Sequence, residues 1–385
     1  MKTHRLKKTY YCLVTIFLVL IKFSFAQDAS TFLFVGSYTD GEPSQGIHVY
    51  SFDKDSGALK LVETKNNLVN VSFLALSPNG RYLYACTEAR LQTPGSVASF
   101  EIDSLSGKLK YLNKQTTFGK NPVHVTVDNF GKYVVTSNYT DPVVNLYKCE
   151  EDGSLVPATQ TFRFEGSSIV IPNQKAAHMH SSYFSSNNKY LFSMDLGSDK
   201  IRVFTFDAEK GQLHIEEDLT VNTTKGAGPR HFTFHPNDKF AYCLEELSGT
   251  VTSYSYDNGR FTWIDSDLSY SKTSEGIYGA ADIHVSPDGK FVYASNRLKD
   301  ENTIAIFCVD QEMGKLALVG HQKTMGVKPR GFVIDPTGKF LLAGNMESGT
   351  VVVFKRDLKT GLLSNTNNTI EVNLPASLKM RTYYH

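Results

Sequence analysis

The chain has 385 residues, and its 40 basic and 39 acidic side chains leave a formal net charge of +1, so it carries no general basic field and sequence-independent nucleic-acid binding is excluded. Hydrophobic residues make up 41%, with 20 Tyr and 25 Phe, which is ample for a core and typical of an all-β protein. Length alone would suggest two or three domains, but no stretch reads as a linker or a low-complexity segment, and an internal repeat overrides that prior.

The first 26 residues stand apart. Lys2, His4, Arg5, Lys7 and Lys8 give a positive start, an apolar run spans 10–21, and Ser24-Phe25-Ala26 precedes Gln27. This is the pattern of a secretory signal peptide, and the run is short for a membrane span. Residues 1–26 are expected to be cleaved, leaving 27–385 as one exported domain, periplasmic or extracellular, with no membrane span. No Cys follows the apolar run at the cleavage site, so no lipid anchor is expected.

Three short apolar segments follow between 31 and 64, TFLFVGSY, GIHVYSF and ALKLVE. Then a hairpin unit begins that recurs along the chain: SPNGRYLY at 77–84, DNFGKYVV at 128–135, SSNNKYLF at 185–192, HPNDKFAY at 235–242, SPDGKFVY at 286–293 and DPTGKFLL at 335–342. Each turn carries Pro, Asn, Asp or Gly between aromatic and β-branched flanks, the chemistry of a tight β-turn between strands. A third apolar strand follows each hairpin (VASFEI, VVNLYK, IRVFTF, TVTSYSY, TIAIFCV, TVVVF), and a weaker fourth lies near a Gly, as in GKLKYL, GSLVPA, GQLHIE, GKLALV and GLLSNT. Four antiparallel strands at a period of about 40–50 residues make a propeller blade. Six blades are complete. The seventh is split: residues 31–64 supply three strands, and the tail SLKMRTYYH supplies the missing opening strand. The fold class is therefore all-β, a seven-bladed β-propeller of four-stranded antiparallel blades, its ring closed by pairing of the N- and C-terminal segments. It is expected to be a monomer.

After cleavage the cysteines are Cys86, Cys149, Cys243 and Cys308; Cys86 and Cys243 lie on second strands of non-neighbouring blades, and Cys149 and Cys308 on third strands of distant blades. Four buried, free thiols are expected.

Aligning the blades on their turns selects a set of polar residues. Five positions before each turn stand Ser72, Val123, His180, Arg230, Ala281 and Arg330; eleven positions after its start stand Glu88, Tyr139, Leu196, Glu246, Arg297 and Met346. Both positions lie at the open end of the hairpin, and the first strand of every blade lines the axis, so these side chains converge on one mouth of the channel. His180, Arg230, Glu246 and Arg297 form the candidate catalytic set, with Arg330, Glu88, His284 and His124 as expected substrate contacts. Arg297 and Glu246 on adjacent blades would also suit a structural ion pair, but several opposite charges at one concave mouth favour use. His231 also sits on a first strand, and Asp282 is placed to orient one of these histidines. His178 and His180 have a spacing able to ligate a metal, but no third ligand of matching geometry is evident and no metal site is expected. There is no G-x-S-x-G elbow, H-E-x-x-H, P-loop or dinucleotide fingerprint.

The segments GAGPRHFTFHPNDKFAYCLEEL, GAADIHVSPDGKFVYASNR and KPRGFVIDPTGKFLLAGN resemble the 6-phosphogluconolactonase family of seven-bladed propellers, whose relatives include the fungal enzyme that lactonises carboxymuconate. The resemblance covers essentially 31–385. It implies opening or closing of a lactone ring on a small-molecule sugar lactone, without a cofactor, and it implicates His180, Arg230, Glu246 and Arg297, the residues the turn alignment selects. Glu246 is the first choice for base, with His180 as acid or orienter. An exported chain would meet little phosphorylated sugar, which leaves the lactone's identity open. The rival readings are a ring-closing cycloisomerase acting on a diacid and a non-catalytic propeller that binds a glycan or a protein.

Overall fold

The turns carry the first level of the architecture. At each hairpin the side chain that opens the turn takes up a backbone N–H. Ser77 Oγ accepts from Tyr82 at 2.9 Å, Asp128 Oδ1 from Tyr133 at 2.7 Å, Ser185 Oγ from Tyr190 at 3.0 Å, Ser286 Oγ from Phe291 at 3.1 Å and Asp335 Oδ1 from Phe340 at 2.7 Å. His235 accepts through Nδ1 from the Asn237 N–H at 3.1 Å. The fourth turn position is left-handed throughout. Glycine occupies it in four hairpins, and Asn188 and Asp238 stand there with φ of 59° and 57°. These are the side chains that tolerate that region best after glycine.

The structure, a computed structural model, describes residues 29–272, 276–298 and 300–385. The expected signal peptide lies outside them. Among the described residues no helix is long and apolar enough to cross a membrane. The chain forms seven antiparallel sheets around one axis. From the axis outward, blade 1 runs Phe73–Leu76, Tyr82–Thr87, Ser96–Ile102 and Leu109–Thr116. Blades 2 to 6 open with Pro122–Val127, Met179–Phe184, Pro229–Phe234, Ala280–Val285 and Pro329–Ile334. Blade 7 is the split one. Its axial strand is Pro375–Tyr384, followed outward by Ala29–Ser37, Ile47–Phe52 and Leu59–Lys65.

Each sheet packs on both faces, so second strands such as Tyr82–Thr87, Phe240–Glu245 and Phe340–Asn345 are buried along their whole length. Seven apolar clusters fill the seven spaces between adjacent blades. The last strand serves two of them: Leu378 joins the cluster shared with blade 6, and Tyr383 joins the one shared with blade 1. Closure is also polar. Phe34 pairs with Lys379 and Val35 with Leu378, Ser377 Oγ accepts from the Leu74 N–H at 3.1 Å, and Tyr383 OH donates to the Gly80 carbonyl at 2.8 Å.

Three details differ from the sequence reading. The segment GSLVPA is not the outer strand of blade 2. It makes a single bridge, Cys149 to Leu155, and the strand is Gln160–Arg163 instead. Pro157 has no N–H to continue the ladder there. Blade 3 gains a short extra strand, Val221–Asn222, on its third strand. Cys86, Cys149 and Cys243 are buried free thiols, but Cys308 is exposed. It points outward from a third strand whose other residues are buried.

Deleting residues 376–385 uncovers the Ala29–Ser37 edge and empties two clusters at once. The expected outcome is an unfolded chain or a Tm lower by more than about 10 °C. Circular dichroism during heating checks this, and an unchanged midpoint would remove the closing strand from the account.

Candidate active site

The axial strands of blades 2, 3, 4 and 6 each carry a β-bulge at the same place. Pairing skips Val123, His180, Arg230 and Arg330, the residues five positions before the turn. In blade 5 the irregularity covers Ala281 and Asp282. A bulge leaves one residue unpaired and re-aims its side chain. Here it delivers His180, Arg230 and Arg330 into one pocket of about 150 Å³ at the channel mouth. Glu246 and Arg297, each one residue beyond the second strand of its blade, reach the same pocket.

Arg230 is only 1% exposed, among the largest fully buried side chains of the protein, so its charge needs partners. Its Nε donates to Glu246 Oε2 at 2.6 Å, and its Nη1 donates to the Ala281 carbonyl. Arg297 grips the other oxygen of the same carboxylate, Nη2 to Oε1 at 3.0 Å, while its Nε donates to the Gly279 carbonyl at 3.0 Å. Burial alone would raise the Glu246 carboxyl, but Arg297, Arg230 and Arg330 outweigh it and hold the group below its usual value. Burial, helped by Arg297, pushes the Arg230 guanidinium down to about 9 against the pull of Glu246, so it stays charged at neutral pH. His180 is pushed well below the ordinary imidazole value, first by burial and then by Arg230, His231 and the remaining arginines, and is neutral.

Five other residues complete the pocket: Tyr38, Arg90, Asn121, Val123 and Tyr139. Arg90 stands 3.9 Å over the Tyr38 ring, and Arg330 stands 5.4 Å from the same ring. The Arg90 backbone is held by Asn121 Oδ1 at 3.0 Å. Burial and then Glu246 raise the Tyr139 hydroxyl to about 12. Four guanidiniums thus face one carboxylate. Arg90 and Arg330 have no ion pair among the described residues.

Not every expected site residue is here. Glu88 lies outside the pocket, held by Lys114 at 2.5 Å and by the Ser96 hydroxyl. Glu88 and Arg90 both have positive φ, at 61° and 62°, and this loop sends the glutamate outward and the arginine inward. His124 lies deeper along the axis, its ring against Phe73 and Tyr183. His284 is deeper as well, with Nε2 at 3.1 Å from Asp282 Oδ2. Neither lines the pocket. His178 donates Nδ1–H to the Tyr139 carbonyl at 2.7 Å and stacks flat on that ring, away from His180. Among the described residues no three His, Cys, Asp or Glu side chains group as metal ligands. Tyr139 occupies the same aligned position as Glu246 and Arg297, so its place was readable; Arg90 and Tyr38 left no comparable signal.

Comparison with known proteins places the whole ring. The family model "Lactonase, 7-bladed beta-propeller" matches residues 32–380. A 6-phosphogluconolactonase of Formosa agariphila is 45% identical over 354 residues, 92% of this chain and all of that one. One from Bacillus subtilis is 37% identical, covering 90% of this chain and 97% of its own. The solved structure of a Pseudomonas aeruginosa periplasmic gluconolactonase superposes with a TM-score of 0.86 at 32% identity, covering 92% of this chain and 99% of its own.

A carboxyl whose folded value lies below its unfolded value adds stability at neutral pH, and that stability is lost as pH falls through the lowered value. Glu246→Gln should therefore lower Tm at pH 7 by about 3 °C, for a loss of about 2 kcal/mol. The gap to the native protein should narrow below the usual carboxylate range, where Glu246 protonates and the variant does not titrate. Scanning calorimetry across pH checks both the size and the narrowing.

Proposed function

The chain belongs to the seven-bladed β-propeller lactonase family and is a lactone hydrolase, and from that premise we propose its substrate and the roles of its pocket residues. The substrate is a sugar lactone bearing an anionic group, with the 6-phosphate of δ-gluconolactone as the test compound. The observation that carries this reading is the imbalance of the pocket, four guanidiniums against one carboxylate around a neutral imidazole. An excess of this kind is costly unless a ligand brings the missing negative charge.

Hydrolysis adds water to the ring carbonyl. The water oxygen bonds to the carbonyl carbon, the carbonyl oxygen takes up negative charge, and the ring C–O bond then breaks and releases a hydroxyl. Arg230 and Arg297 stabilise the developing oxyanion from positions that Glu246 fixes in advance, so no reorganisation is needed as charge develops. Arg330 and Arg90, without carboxylate partners, take the anionic substituent. His180 removes the proton from water and returns one to the leaving ring oxygen. Glu246 was the expected base, but a carboxylate held between two guanidiniums has little basicity left, whereas His180 is already unprotonated and lines the pocket. Glu246 therefore positions the arginines.

We also propose that the chain is exported. Its first 26 residues carry the charge, apolar run and small-residue site of a signal peptide, and one structural relative is described as periplasmic. N-terminal sequencing of protein from the extracytoplasmic fraction should begin at Gln27; a chain that keeps Met1 and stays in the cytoplasm rejects export.

Proton release during incubation with δ-gluconolactone and its 6-phosphate tests the chemistry. Both should be hydrolysed, the phosphorylated lactone with a kcat/KM at least about 10-fold higher. Arg230→Ala and His180→Gln should each lower turnover by about 10²–10³-fold with an unchanged circular dichroism spectrum. Turnover at the native rate in either variant removes that residue from the mechanism.

A further inference from the structure

Directly beneath the pocket lies a group of buried polar side chains that the reaction as described does not use. His231 follows Arg230 on the axial strand of blade 4, and its Nδ1 is 2.8 Å from Asp282 Oδ1 on blade 5. Asp282 also accepts the Ile283 and Phe332 backbone N–H groups, each at 3.1 Å, and is met by His284 Nε2 at 3.1 Å. An oxygen pair with that many donors is a carboxylate. Burial would raise its carboxyl, yet His284 and His231 hold it well below the usual value. His231 must then carry its proton on Nδ1. Burial, with Arg230, pushes the ring down to about 3, so it is neutral and Nε2 is an open lone pair. That Nε2 is buried and has no hydrogen-bond partner among the described residues.

A second orphan sits beside it. His180 Nδ1, on the neighbouring axial strand of blade 3, is also buried without a hydrogen-bond partner among the described residues. The two rings lie with centroids 5.2 Å apart and planes at 66°. Two unpaired buried nitrogens side by side are costly, and the cost disappears if one donates to the other. His231 Nε2 can only accept, so His180 Nδ1 is the donor, and because the two nitrogens make no direct hydrogen bond the link runs through one buried water.

We propose that Asp282 and His231 are positioning residues for the lactonase reaction, holding His180 with its proton on Nδ1 and its Nε2 lone pair toward the substrate, and taking up the charge that His180 acquires. This rests on the role given above to His180 as base. The proton removed from the attacking water bonds to His180 Nε2, the Nδ1 proton of His180 passes to the bridging water while that water gives one of its own to His231 Nε2, and His231 Nδ1–H remains on Asp282. The positive charge thereby leaves a pocket of four guanidiniums and comes to rest beside a carboxylate. The steps reverse when the ring oxygen leaves and takes its proton. No oxidant or further reactant is involved.

The test reads the tautomer directly. In protein labelled with 15N-histidine, two-bond proton–nitrogen correlation at pH 7, with His180 assigned from its loss in the His180→Gln variant, should show the proton of His180 on Nδ1. Finding it on Nε2 overturns the proposal, and that measurement on the native protein needs no folded variant of His231. In kinetics, His231→Phe keeps a ring but loses the acceptor, and kcat on δ-gluconolactone 6-phosphate should fall about 10²-fold with KM changed less than about threefold. A native kcat in that variant also overturns the relay. If neither lactone is hydrolysed, the substrate reading fails instead, and the tautomer result still decides the buried arrangement.

Discussion

Everything at the mouth depends on one pairing, the C-terminal strand Pro375–Tyr384 against Ala29–Ser37. A single blade cannot bury either of its faces. Only a closed circle gives each sheet two neighbours and leaves no long edge unpaired. The pairing also fixes where the pocket side chains stand, because every blade contributes to it. Tyr38 follows the second strand of blade 7, Arg90 that of blade 1 and Tyr139 that of blade 2; His180, Arg230 with Glu246, Arg297 and Arg330 come from blades 3, 4, 5 and 6. A ring opened at its seam would separate Tyr38 from Arg90 and Arg330, the two guanidiniums that share its ring.

The second requirement is local. A regular axial strand would send alternate residues into the two inter-blade cores, and an arginine there would meet only apolar side chains. The bulge at His180, Arg230 and Arg330 breaks that alternation by one residue. The next core residue on blade 4, Phe232, still reaches the apolar cluster between blades 3 and 4. Arg230 then faces the axis, where Glu246 and the Ala281 carbonyl compensate its lost hydration. Gly-Pro before Arg230 and Lys-Pro before Arg330 belong to the same device, since proline starts the strand where no ladder N–H is required.

This explains how much could be read from the residues. The period, the turn chemistry and the split blade all follow from local propensities that repeat, and repetition averages out local error. The pocket residues at aligned positions were legible for the same reason, because the bulge recurs at a constant offset from the turn. Glu88 was misjudged because two residues with positive φ insert a twist that no offset records, and Arg90 took its place. Tyr38 was missed because the split blade has no hairpin turn of its own to align, although it occupies the same position after its second strand as Glu246 and Arg297 do after theirs. The outer strand of blade 2 was misplaced because Gly153-Ser154-Leu155 has the look of its counterparts in other blades, and only Pro157 betrays the break.

The choice of base proposed above follows from the same charge balance. Sequence order favours Glu246, since a carboxylate beside arginines looks like a general base. Geometry reverses this, because both of its oxygens are committed to guanidiniums. The field that quiets Glu246 also weakens His180, whose lowered basicity comes first from burial and then from Arg230, His231, Arg330 and Arg297. Burial is permanent, but the arginine contribution depends on what the pocket contains. On the proposed reading, an anionic group seated between Arg330 and Arg90 would cancel part of that field at the imidazole, so His180 would be a stronger base with its substrate in place than with water alone in the pocket. On that proposal the surplus of guanidiniums acts twice: it attracts a charged lactone, and it keeps the base weak until that lactone arrives.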